Sequence, residues 1–359
     1  MLYLCLTFDY ELFFGDNFGS YDEILFHPTS KLIDTLSEKS ISATFFVDVC
    51  SIPQALRYNQ IAYVEKFTKQ IQDMTLHEQD VQLHIHPHWF HSKWEDGAWK
   101  FSNEGYRIHE FGFGNDGAGN IIKDGIKYLK DSLKNIDPKY ECIAYRAGGF
   151  SIQPHKELVW ELYKNGIRVD SSIAPDLFSG SGINQYDYRN KIKKINWYIS
   201  PDSEWWEDSK DDIALLEIPV ATINKPAFIF LARRLFRPNS IKLFHEELRG
   251  TYVNNQEQKK NRIKSIVNYL LGYNTISMDA YSADYLYEQV RKFYKKNIYK
   301  KDDKTDCIIA LIGHPKLIDN AYIKNLAAFI DLIKEDNRFY LLSITEAYQI
   351  AKKSYGKYK

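Results

Sequence analysis

The chain of 359 residues is long enough for two average domains, although barrel folds use this much chain as one unit. With 44% hydrophobic and 26% charged residues and ordinary Gly (18) and Pro (11) counts, it is no disordered segment, collagen-like repeat or small disulfide-stapled scaffold. Lys plus Arg and Asp plus Glu both number 47, so no global field gathers polyanions, which argues against nucleic acid as the main partner.

Short apolar runs of strand length recur along the chain, most of them followed by helix-length segments, and there is no internal repeat. The pattern predicts a strand at 2–8, a helix over 29–39, a strand at 43–49, a helix over 61–76 and a strand at 81–85. A helix over 121–133, a strand at 142–146, a helix over 154–165 closed by Asn165-Gly166, and a strand at 167–170 follow. Strands at 213–220, 307–312 and 339–344, with a helix over 321–335, complete the series. Such alternation argues for a parallel sheet, and eight strands suggest closure into a barrel.

Residues 179–304 break the rhythm, with one convincing strand, a Trp-containing acidic loop and helical stretches near 255–271 and 280–296. The expectation is a single barrel domain, 1–359, decorated by this insertion. Within it, 225–244 mixes apolar residues with Lys225, Arg233, Arg234, Arg237 and Lys242. Two readings stay open there: peripheral contact with a membrane surface or a phosphate, and a core-packing helix with a solvated basic edge. Cys5, Cys50, Cys142 and Cys307 are far apart and form no CxxC, as expected of buried reduced thiols. The first 14 residues have no basic n-region and run into acidic residues, and no window approaches the roughly 20 apolar residues of a membrane span. A cytoplasmic protein without a transmembrane segment is expected.

In a parallel α/β barrel, reactive groups stand at the C-terminal strand ends. The first strand ends Thr7-Phe8-Asp9-Tyr10-Glu11, and period-two geometry puts Asp9 and Glu11 on one face. The third ends Leu83-His84-Ile85-His86-Pro87-His88, aiming His84 and His86 inward, with His88 able to join after the Pro87 turn. A carboxylate with two imidazoles is a ligand set for a divalent Zn, Fe, Co or Ni ion with open positions; which two histidines bind is open. Arg146 before Gly148-Gly149, Asp170, and His314 close three more strands. Each alone suits an ion pair, a turn cap or a structural histidine, and their joint placement argues for a site. Ser151 and Ser181 lack a G-x-S-x-G elbow.

The order Thr7-Phe8-Asp9, Thr44-Phe45-Phe46, His84 with His88, Arg146, Asp170 and His314 resembles the polysaccharide deacetylases, carbohydrate esterase family 4. The resemblance spans Thr7 to His314 and is loose across the insertion, around Glu217-Ile218-Pro219. It implies a distorted seven- to eight-stranded (β/α) barrel of the glycoside hydrolase/deacetylase type, and removal of N- or O-acetyl groups from sugars with one divalent metal, zinc before cobalt, nickel or iron. By resemblance Asp9 is the catalytic base, Arg146 orients it, His314 is the general acid and Asp170 matches the fourth motif. His84 and His88 match the metal histidines, with His86 as the alternative. The family's second acidic residue is Tyr10 here, leaving Glu11 as the replacement ligand, and Gly148-Gly149 stand where a proline and an aromatic are usual.

Trp89, Trp94 and Trp99 follow the histidine cluster, and Trp205 and Trp206 sit among acids. Trp89, Trp205 and Trp206, with Gly148 and Gly149, are candidate sugar contacts, against the alternative of indoles packed inside the insertion. The expected substrate is an acetylated sugar, nucleotide-linked or lipid-linked, made for a surface glycan. Two other classes are open: a glycosidase or cyclic-amide hydrolase on the same barrel, and a sugar-binding pseudoenzyme. Glycosidases need carboxylates flanking the scissile bond, for which Asp9 and Glu11 on one strand end are poorly placed.

Overall fold

Leu2–Tyr10 (β1) is buried along almost its whole length, on both faces, as a central strand of a parallel sheet must be. It starts a nine-stranded sheet seen in a computed structural model. The structure describes residues 1–15, 19–114, 117–180, 183–192, 194–224, 243, 273–298 and 307–355. The helix expected at 255–271, nearly all of the basic segment 225–244, and Ser181 lie outside the described residues.

The helices and strands alternate as expected. His27–Glu38 (α1) runs on directly from a π-helical turn, Asp22–Phe26, with Pro28, which has no N–H to donate, just after the join. Thr44–Asp48 (β2) leads to the short helix Ser51–Arg57 (α2) and to Ile61–Leu76 (α3), which buries Tyr63, Phe67, Ile71 and Met74 at helical spacing. Asp80–Ile85 (β3), Ala118–Leu133 (α4), Ala144–Ala147 (β4), Lys156–Lys164 (α5) and Val169–Asp170 (β5) follow. Then come Trp197–Ile199 (β6), Leu215–Glu217 (β7), Ala283–Asn297 (α6), Cys307–Gly313 (β8), Asn320–Lys334 (α7), Phe339–Leu341 (β9) and Ile344–Tyr355 (α8).

The strand order is β6-β7-β5-β4-β3-β2-β1-β8, with β9 also on β1. All these pairs are parallel except β6 with β7. The sheet curls until the chain after β7 meets β8: Ala310 N–H donates to Pro219 O and Ala221 N–H to Ala310 O. Asn196 spans the same seam, its amide bonded to Glu217 O (3.2 Å) and to both backbone groups of Ile308 (2.8 and 2.9 Å). β6 and β7 therefore belong to the main sheet although they lie within 179–304.

Period-two alternation divides the sheet's two faces. Leu4, Leu6, Phe8 and Tyr10 pack under the helices, whereas Cys5, Phe46, Ala144, Val169, Leu216, Ile308 and Ala310 fill the barrel. Ile344, Ala347 and Ala351 of α8 join that inner cluster. Residues 339–344 suggest a strand by composition, but the chain turns at Ser343 and continues as a helix. Among the described residues no helix is long and apolar enough to cross a membrane.

Candidate metal centre and catalytic groups

Farther along the inward faces, polar residues replace the apolar filling. Cys5 is followed in period two by Thr7 and Asp9, Phe46 by Asp48, Ala144 by Arg146 and Ala310 by Ile312 and His314. The strands are parallel, so these ends meet at one mouth.

Arg146 is completely buried. Its Nη1 donates to Asp9 Oδ1 at 2.6 Å, its Nε to Ser171 O at 2.8 Å and its Nη2 to Ser171 Oγ at 3.0 Å. The guanidinium also covers the Phe46 ring at 4.2 Å. Asp9 Oδ2 faces His84 Nε2 at 3.9 Å and His314 Nε2 at 3.8 Å. Burial pushes the Asp9 carboxyl up, but Arg146, His84 and His314 outweigh it and hold Asp9 below its ordinary value.

Glu11 Oε2 lies 2.5 Å from His86 Nε2 and 3.2 Å from His84 Nε2. One ligand atom from each of Glu11, His84 and His86 falls within 4.8 Å of the other two, and all three residues are buried. His84 Nδ1 is 2.8 Å from Arg146 O. A carbonyl only accepts, so Nδ1 carries a proton and Nε2 is the nitrogen turned to the cluster, the orientation that metal-binding histidines use. The site therefore fits a divalent ion held by Glu11, His84 and His86. Burial favours a protonated Glu11, yet Lys316, His86 and His84 hold its carboxyl well below the usual range. Burial opposes the charge on His84, but Asp9 and Glu11 raise its pKa to about 8.

His88 stands apart from that group. After Ile85 the chain enters the tight turn Pro87–His91, which carries His88 off the strand's alternation. Its ring stacks on Tyr106 at 4.4 Å and meets Phe14 edge-on at 4.6 Å, and neither nitrogen has a hydrogen-bond partner among the described residues. Burial, then His86, depress its pKa well below the ordinary imidazole value. The histidines that converge on Glu11 are thus two apart, not four.

His314 Nδ1 is 2.7 Å from Asp279 Oδ2, and its backbone N–H donates to Asp279 Oδ1 at 2.9 Å. Burial lowers the His314 pKa, but Asp279 and Asp9 reverse this and raise it. The carboxylate beside His314 is Asp279, not Asp170. Val169 faces the barrel interior, so alternation turns Asp170 to the opposite face, in register with Glu217. Burial pushes Asp170 up to about 6, against hydrogen bonds that include Ser172 Oγ at 2.5 Å. Glu217 is raised further by burial and by Asp170.

Two more residues lacked a specific sequence signal. Asp48 accepts from Trp89 Nε1 (2.7 Å) and from the His86 N–H (3.1 Å). Lys316 Nζ donates to Glu11 Oε1 at 2.6 Å. Lys316 lies in the turn Pro315–Leu317, beyond the strand's alternation, so only the tertiary structure brings it to Glu11. Asp279 follows Ser277, which bridges to Ile312, and no spacing in the sequence announces that contact.

The expected sugar contacts divide. Trp89 is fully buried and edge-on to Trp99, so it offers no free face; it is a structural clamp on Asp48. Trp205 is buried against Tyr188. Trp206 is partly buried and lines a cleft of about 390 Å³ with Gln153, Asp187, Arg189, Asn190, Lys191 and Trp205. Gly148 lets β4 approach the histidine strand, since a Cβ there would lie 2.7 Å from His86 Nδ1. Gly149 has φ +60°, and a Cβ would sit 2.0 Å from Asn184 Oδ1.

No family model matches the chain, and no curated protein matches it. Solved structures do. A Parabacteroides distasonis protein assigned as a glycoside hydrolase/deacetylase aligns over 100% of this chain and 73% of its own, with TM-score 0.55 and 11% identity. A Mycobacterium smegmatis protein assigned as a polysaccharide deacetylase aligns over 99% and 90%, with TM-score 0.45 and 11% identity. The first match establishes the fold: a curled (β/α) barrel of the glycoside hydrolase/deacetylase type.

Proposed function

We propose that the chain is a metal-dependent hydrolase that removes an acetyl group from a sugar. The observation that carries this reading is the meeting, at one barrel mouth, of a Glu11–His84–His86 cluster with an Asp9–Arg146 pair and a His314–Asp279 pair. When bound, a divalent ion supplies Lewis acidity toward the acetyl carbonyl and acidifies water. Asp9, kept ionised by Arg146, takes the proton of the attacking water. His314, kept protonated by Asp279, gives a proton to the departing amine or alkoxide, for which its Nε2 faces the cluster while Nδ1 stays tied down. The base and the acid are separate residues whose environments push their pKa values apart, as acid-base hydrolysis needs. Glu11, His84 and His86 are the proposed ligands, zinc the proposed ion. His88 is proposed as a packing residue.

The proposed substrate is a nucleotide-linked or lipid-linked acetamido sugar, a precursor of a surface glycan used in the cytoplasm. Trp206 is the proposed sugar contact; in its cleft Arg189 is paired with Asp187 and Lys191 lies over the indole at 4.2 Å. Elemental analysis of tag-free protein tests the centre first. About one divalent ion per chain is expected, lost in Glu11→Ala, His84→Ala and His86→Ala and kept in His88→Ala. Acetate release from nucleotide-linked acetamido sugars, abolished in Asp9→Asn, is the matching activity. No ion after reconstitution with zinc, cobalt or iron would overturn the reading.

A further inference from the structure

Glu11 uses its two oxygens differently. Oε2 faces the Nε2 atoms of His84 and His86, while Oε1 accepts from Lys316 Nζ at 2.6 Å. Lys316 is itself only 8% exposed. Its ammonium donates also to Leu12 O at 3.1 Å and lies 5.4 and 5.2 Å from the ring centroids of Phe13 and Phe14. The backbone that carries it is fixed as well. Pro315–Leu317 is a tight turn directly after β8, closed by bonds from Leu317 N–H to His314 O and from Ile318 N–H to Pro315 O, each 3.0 Å.

A buried cation on one oxygen of a ligating carboxylate does two things. It occupies that oxygen, so the carboxylate cannot swing to chelate a metal through both, and it repels a dication nearby. We infer that Lys316 is a positioning residue that restricts Glu11 to one-oxygen ligation, keeping coordination low at the expense of metal affinity. This rests on the metal reading above. Three protein ligand atoms then leave room for water and substrate, which a chelating carboxylate would reduce.

The test is titration of metal-free protein with cobalt(II), following d–d absorption and measuring affinity by chelator competition. The wild type is expected to show the intense absorption of low-coordinate cobalt. Lys316→Met is expected to bind cobalt about tenfold tighter, with weaker absorption because Glu11 chelates. Lys316→Gln keeps an N–H donor for Oε1 without the charge, so it is expected to bind more tightly while retaining the wild-type spectrum. It also serves if Lys316→Met does not fold. A wild type that takes up no cobalt overturns the metal reading and this inference together. A wild type that binds cobalt, with spectrum and affinity unchanged in the variants, overturns the positioning role alone.

Discussion

His314 combines a carboxylate at one ring nitrogen with a clear approach to Asp9 and Glu11 at the other, 3.8 Å from each. Its charge is therefore a balance: burial disfavours the imidazolium, and Asp279 more than restores it. An acid catalyst works while protonated, so activity should fall as pH rises through the His314 pKa. Asp279→Asn removes the stabilising charge and should move that alkaline limb to lower pH. Nitrogen NMR of the His314 ring, read alongside kcat/KM against pH, measures both ends of the argument. An unmoved ring titration would show that Asp279 only packs. Strand alternation paired Asp9 with Glu11 and His84 with His86, and position at strand ends singled out Arg146 and His314, because both are properties of each strand by itself. In the two-residue β5 it is Ser171, and not the strand-end Asp170, that reaches Arg146.

At the scale of elements, the histidine strand needs its neighbour. Asp48 at the end of β2 stands in register with His84, holds the first N–H beyond β3 and grips the Trp89 indole inside the following turn. Burial raises the Asp48 pKa, so these bonds sustain an otherwise costly group. Asp48→Ala would strand these donors, and the Cys50 N–H that also reaches Asp48 Oδ1 at 3.3 Å, in a dry interior and should cost about 2–4 kcal/mol of stability. Loosening His86 should also weaken metal affinity about 10–100-fold, the usual size of effects from groups that support ligands. Urea unfolding and chelator competition on the purified variant would check the two separately. A variant that lost neither would remove Asp48 from the account of the site. The tryptophans after the histidines suggested a sugar platform by composition. Their place in the turn made Trp89 a clamp, since an indole N–H beside a buried carboxylate satisfies both.

At the scale of the whole molecule, the barrel closes where β7 runs on to β8, and the Asp170–Glu217 pair lies next to that seam. Unfolded carboxyls titrate near pH 4, whereas in the fold Asp170 is raised to about 6 and Glu217 goes well above its ordinary value. The folded chain thus keeps protons that the unfolded chain releases. The pair's contribution to stability is complete below about pH 4 and fades as pH rises through about 6 and beyond. Glu217→Gln removes one of these protons, so its stability relative to wild type should rise between about pH 5 and pH 8, by on the order of 1–3 kcal/mol. Denaturant unfolding at the two pH values decides; a difference independent of pH would mean that the two acids do not share a proton.

The sequence by itself determined the parallel strand series, the amphipathic helices and the set of polar strand ends, since all are written in local periodicity of two or 3.6 residues. Boundaries moved where apolar runs outlasted their strands: 213–220 was expected and Leu215–Glu217 pairs as strand. Trp197–Ile199 escaped notice because three residues are too few to show a period. Only the tertiary structure decided which groups meet. His86 replaces His88 beside Glu11 because a turn follows Pro87. Asp279 finds His314 across 35 residues of sequence, and Lys316 finds Glu11 across 305. Such pairings depend on strand register and barrel closure, which bring together atoms that no local pattern connects.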